Sequence, residues 1–197
     1  MSSLLSLLSR DSIKVAQLES IYAGHGACPG FAADAISAMR LLDADRAWRA
    51  IWLLKRLAVD RRLGVTDLVR VTQCAEEMTD WAARLNLCQL LATTGCPASV
   101  RAALYPYLVE CFANRRPMIR AWAISVLVGF QRDARYRKSV QAMLREARAD
   151  AAGSIQARLR CLGRNKKKPN QALEHNADIR HARCCAPVAP AAVVAHL

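Results

Sequence analysis

Apolar residues recur three and four positions apart through most of the first 163 residues, the period of helices that each bury one stripe. From Asp43, the segment DADRAWRAIWLLKRLAVD sets Ala47, Ala50, Ile51, Leu54 and Leu57 at helical spacing and leaves Arg and Lys opposite, with Asp43 or Asp45 available to open the helix by capping or by charge. The run TDWAARLNLCQLLATTG carries Leu85, Cys88 and Leu91 on one stripe, opens on Thr79 or Asp80 and stops near Gly95. In RPMIRAWAISVLVGF, Pro117 stands where a first-turn proline is tolerated, and GSIQARLRCLG is bracketed by Gly153 and Gly163. Ahead of each of these four runs lies another helical run, over 31–42, 66–78, 97–114 and 133–150. Residues 11–23, DSIKVAQLESIYA, predict an amino-terminal capping helix.

The four second helices align on a single arginine. Arg49, Arg84, Arg120 and Arg158 are spaced by 35, 36 and 38 residues, and Asp45, Asp80, Arg116 and Ser154 stand four positions before them. That spacing predicts an Asp-to-Arg pair on one helix face in the first two units and a second arginine in the third. One helix pair cannot bury both its apolar faces alone, so the repeat predicts an all-α chain, an α-solenoid of about four stacked antiparallel helix pairs. The second-helix pattern around Asp45, Arg49, Asp80 and Arg84, with Pro106 inside a first helix, resembles the HEAT and armadillo families over about residues 31–163. The resemblance implies a scaffold with an extended binding groove. Tetratricopeptide repeats are the structural alternative, but their Trp, Leu-Gly and Tyr pattern is missing.

After Gly163 the pattern lapses. RNKKKPNQALEHNADIRHARCCAPVAPAAVVAHL begins with a charge run and ends in Ala, Pro and Val, so residues 1–163 are expected to form the repeat domain and 164–197 a basic, Ala/Pro-rich disordered tail with a short helix around Gln171 to Ala182. No stretch approaches 18 uninterrupted apolar residues, so no membrane span is expected, and MSSLLSLLSR lacks the basic start and cleavage site of a signal peptide. The eight cysteines form no CxxC pair. With Cys74, Cys88, Cys111 and Cys161 inside apolar runs, they fit a reducing cytoplasm rather than a disulfide framework.

Charge sharpens the picture. The formal charge of +13 is uneven: residues 1–100 hold 11 basic and 10 acidic side chains (+1), residues 101–163 hold 12 and 4 (+8), and residues 164–197 hold 6 and 2 (+4). A basic second half favours an acidic protein or nucleic acid as partner. The cluster Arg115, Arg116, Arg120, Arg132, Arg135, Arg137 and Lys138 is interrupted by Asp133 alone, and its two halves bracket one helix, so they stand about 20 Å apart at 1.5 Å per residue. Arg115, Arg116, Arg132, Arg135, Arg137 and Lys138 are the candidate partner-binding residues. Arg120 is set aside because its ladder position can instead link neighbouring repeats.

Catalytic candidates are sparse. The loop GHGACPG, Gly24 to Gly30, lacks the GxGxxG spacing and Lys-Ser/Thr ending of a phosphate-binding loop, and His25 with Cys28 would need a third, orienting group or further ligands. His181, Cys184 and Cys185 are short of a fourth metal ligand. Trp48, Trp52, Trp81 and Trp122 lie on the second helices, to be packed in the core or exposed on a groove for stacking. Some HEAT-like proteins are glycosylases for alkylated purines in DNA, and a similar site here would draw on Asp80, Trp81, Trp122 and Arg120. No catalytic residue, metal or cofactor is assigned. The expected function is a non-catalytic scaffold binding a protein or other macromolecule, the alternative a HEAT-like DNA-binding protein or alkylpurine DNA glycosylase.

Overall fold

The computed structural model of the protein describes residues 3–166, and these are all-helical, with no strand among the described residues. The chain divides into two units, Met1–Arg160 and Cys161–Leu197, and the buried apolar core belongs to the first. Most of the proposed tail, with the short helix at 171–182 and His181, Cys184 and Cys185, lies outside the described residues.

Among the described residues ten helices succeed one another: α1 (Leu4–Leu8), α2 (Val15–His25), α3 (Phe31–Leu41), α4 (Ala47–Val59), α5 (Val65–Thr72), α6 (Trp81–Thr94), α7 (Arg101–Phe112), α8 (Pro117–Phe130), α9 (Ala134–Ala149) and α10 (Gly153–Lys166), with 3₁₀ turns at Ala75–Glu77 and Ala98–Val100. Several boundaries follow the local signals. The Asp80 carboxylate accepts the Ala82 and Ala83 amides at 2.8 and 3.2 Å and caps α6, whose other end falls at Gly95 with φ 81°. Pro117 opens α8, the Asp133 carboxylate caps α9 through the Arg135 amide, and α7 runs unbroken through Pro106.

Two expectations are corrected, and one helix is added. Helix α4 begins at Ala47 without a side-chain cap, and Asp43 contributes its backbone carbonyl to the Arg46 and Ala47 amides. The run over 66–78 divides into α5 and a 3₁₀ turn, and the turn packs on α7 with Cys74, Ala75 and Met78 buried. The serine-rich amino terminus forms α1, which packs on α3 and buries Leu8 completely.

Packing centres on the second helices. Helix α6 packs against α4 on one side and α8 on another, α3 lies on α4, and α7 and α9 lie on α8. Helix α2 also meets α4, and α5 packs on α3. Ile51, Leu53 and Leu54 of α4, Leu87, Cys88 and Leu90 of α6, and Ile119, Ile124 and Leu127 of α8 are buried between these layers. Each fully buried Leu or Ile contributes about 1.5–3 kcal/mol.

Candidate interaction surface

The ladder arginines act as clamps. Arg49, only 6% exposed, donates from Nη1 to the carbonyls of Leu8 and Arg10 at 2.7 and 2.6 Å and from Nη2 to that of Asp11 at 3.1 Å, tying the end of α1 to α4. Arg84 donates through Nε to the Met78 carbonyl and through Nη1 to Glu110, both at 2.7 Å. Arg120 donates to the carbonyls of Asn114 and Arg115 at 3.0 and 3.4 Å and to Asp150 at 2.7 Å. Arg158 lies 3.7 Å from the Trp122 ring centroid and donates to the Ser125 hydroxyl.

This replaces the expected Asp-to-Arg face pairs. Asp80 and Arg116 occupy the N-cap positions of α6 and α8, and an arginine four residues later reaches back to the carbonyls of the loop ahead of the cap rather than to the cap itself. Asp45 precedes α4 altogether. Arg120 thus spends its guanidinium on contacts within the fold. Asp150, on the far side of its ion pair, has its carboxyl held below the ordinary range by the Ala152 amide and then by Arg120.

Other cations of α4 are also committed. Lys55 donates to Asn86 Oδ1 at 2.8 Å and Gln89 Oε1 at 2.6 Å on α6, and burial, with Arg56 adding repulsion, lowers its ammonium to about 8. Arg56 lies near Glu19 at 3.7 Å and over the rings of Tyr22 and Trp52. No pattern in the sequence singled out Lys55, because its partners lie more than 30 residues away.

The six candidate binding residues separate into two groups. Arg115 and Arg116 precede α8; Arg132, Arg135, Arg137 and Lys138 follow it, and all six are exposed. Arg135 is paired with Asp133 at 2.7 Å, which holds that carboxyl below its ordinary range, and Arg137 donates to the Gln131 carbonyl at 3.2 Å. Arg115, Arg116, Arg132 and Lys138 have no carboxylate within 4.0 Å among the described residues. At the Arg116 end the surface is also apolar. The guanidinium of Arg116 sits 4.5 Å from the Trp81 ring centroid, and Trp81 and Met118 are each 47% exposed.

The tryptophans thus have different settings. Trp52 is buried, Trp48 and Trp122 are half-buried, and Trp81 is open, so neither a wholly packed nor a wholly exposed series describes them. The carboxylate a glycosylase site would need, Asp80, is bonded to two backbone amides as a cap.

A cavity of about 230 Å³ lies along Gly26–Ala32 with Leu57 and Arg62, and includes the exposed Cys28. No cluster of three His, Cys, Asp or Glu side chains with metal-binding geometry occurs among the described residues. Cys74, Cys88 and Cys111 are buried thiols on the helical core. Among the described residues no helix is long and apolar enough to cross a membrane. Comparisons of the chain with protein-family models, with curated proteins and with solved structures returned no significant match.

Proposed function

We propose that this chain is a non-catalytic helical-repeat scaffold, a HEAT/armadillo-like α-solenoid of about four stacked helix pairs, that binds an acidic protein partner through the cations of its second half. The succession α4, α6, α8, with α3 and α7 laid against it, supports the stacked-pair reading. The observation that carries the binding reading is the set Arg115, Arg116, Arg132 and Lys138, exposed and without a carboxylate in reach, in a region of charge +8. Unpaired surface cations keep their full charge available to a partner, whereas Arg49, Arg84 and Arg120 commit theirs to the fold. The DNA-binding alternative draws on the same cations, but its glycosylase form would draw on Asp80, whose Oδ1 already caps α6.

The reading is tested with poly-L-glutamate and a DNA duplex of matched length as probes, titrated against the full chain over a range of salt. Poly-L-glutamate is expected to bind with an affinity that falls with salt, and glutamine at all six candidate positions should weaken binding and flatten that dependence while leaving the helical circular dichroism intact. Equal binding by the neutralised protein overturns the assignment, and binding confined to the duplex transfers it to the DNA alternative.

A further inference from the structure

The two ends of α8 differ in more than position. At its start, the loop bearing Arg115 and Arg116 is held in shape by its own neighbours: Asn114 Oδ1 accepts the Arg116 amide at 2.9 Å, and Arg120 binds the carbonyls of Asn114 and Arg115. The loop ahead of α6 is held in the same way, with Arg84 on the Met78 carbonyl and Asp80 capping the helix. These two fixed loops bring Arg116 over Trp81, and Met118 stands exposed two residues further on. The half-exposed Trp81 ring therefore lies beside the Arg116 guanidinium with the backbone of both loops already held, so less backbone ordering entropy remains to be lost on binding. At the other end, Arg132 and Lys138 have no exposed large apolar side chain beside them in the sequence, and Arg135 is already paired with Asp133.

We infer that Trp81, Met118, Arg115 and Arg116 form a docking surface for an acidic peptide segment of a protein partner, whose carboxylates meet the arginines and whose apolar side chain lies against Trp81 and Met118. This rests on the scaffold reading and names the chemistry of its partner. Tryptophan and arginine are the side chains that most often dominate protein interfaces, and methionine adapts its shape to irregular apolar contacts. Single-stranded nucleic acid fits less well. Successive bases need a series of open aromatic faces, yet Trp52 is buried under Arg56, Trp122 is half-buried under Arg158, and Trp81 already carries Arg116 on one face.

The test pans a displayed library of random 12-residue peptides on the full chain and then measures one enriched peptide by fluorescence polarisation. Enriched sequences should join two or more Asp or Glu to a Leu, Met or aromatic residue. Trp81→Ala and the pair Arg115→Gln with Arg116→Gln should each weaken the peptide about tenfold or more, while Arg132→Gln with Lys138→Gln changes it less than about threefold. Circular dichroism of each variant reports that the fold is intact. Acidic peptides without an apolar residue, or equal losses from the two ends of α8, overturn this inference and leave the broader basic-surface reading standing. Absence of acidic sequences among those enriched overturns both. An oligothymidylate that displaces the peptide, binds more tightly than it, and loses affinity with Trp81→Ala would assign the surface to nucleic acid instead.

Discussion

The cations of α4 and α6 and four of those flanking α8, Arg115, Arg116, Arg132 and Lys138, come from similar arginine-rich sequence but have opposite fates. On α4 and α6, Arg49, Lys55, Arg56 and Arg84 reach carbonyls, side-chain amides or carboxylates of neighbouring elements. Around α8, Arg115, Arg132 and Lys138 end in solvent without a carboxylate, and Arg116 rests on an exposed ring. A region's formal charge says little about its surface until each guanidinium is traced to its acceptor, and only those without one are left for a partner.

The contrast is sharpest in stability. Arg49→Ala removes a nearly buried cation and leaves three carbonyls short of a donor, so urea denaturation should show a loss of about 3 kcal/mol. Arg115→Gln with Arg116→Gln should stay within about 0.5 kcal/mol of the parent.

Lys55 gives the next largest effect, and its sign is opposite to that of an ordinary ion pair. Its ammonium titrates at about 8 in the folded chain against an ordinary 10.5, so across that window the folded state holds fewer protons and stability rises with pH. Tyr22 works the other way, its phenol pushed up by burial and by Asp60, so the measurement must be differential. Relative to Lys55→Met, the parent should gain on the order of 2 kcal/mol between pH 8 and 10.5, after allowance for the half-buried site. A constant difference would mean that Asn86 and Gln89 keep Lys55 charged throughout.

Smaller again, Arg84→Ala and Arg120→Ala should each cost about 1–2 kcal/mol, because each breaks a loop clamp and a partly exposed ion pair. For Arg120 the effect depends on acid. The Asp150 carboxyl is depressed in the folded state, so its contribution is present above the ordinary aspartate range and is lost as pH falls through the folded value. The difference between parent and Arg120→Gln should therefore shrink on acidification below about pH 4.

Much of the fold is legible in the sequence because helix starts and stops are local. Asp80, Gly95, Pro117 and Asp133 lie at the ends of the helices their residue types predict, and Phe31 begins its helix as the periodicity requires. The differences arise from contacts distant in sequence. Helix α1 is only five residues long and depends on burying Leu8 and on Arg49 some 40 residues away, which no local window registers. The run over 66–78 has apolar helical spacing, but the 3₁₀ turn that follows α5 packs on α7, a contact that local spacing does not register. The candidate cluster is readable as charge and unreadable as geometry. Its one sequence clue lies at Arg116, where the repeat places an arginine at the cap position that Asp80 fills in α6; a cation there neither caps the helix nor suits its dipole, and such local violations mark places where another requirement prevails.

The central claim, that cations around α8 are available while the ladder cations are committed to the fold, is tested most directly by arginine footprinting. The full chain is treated with phenylglyoxal under native conditions, and the modification rate of each arginine is followed by peptide mass spectrometry. Arg115, Arg116 and Arg132 should react at rates close to those in the unfolded chain, Arg49 at least about tenfold more slowly, and Arg84 and Arg120 in between. Arg49 reacting as fast as Arg115, or Arg115 and Arg132 protected as strongly as Arg49, would contradict the account.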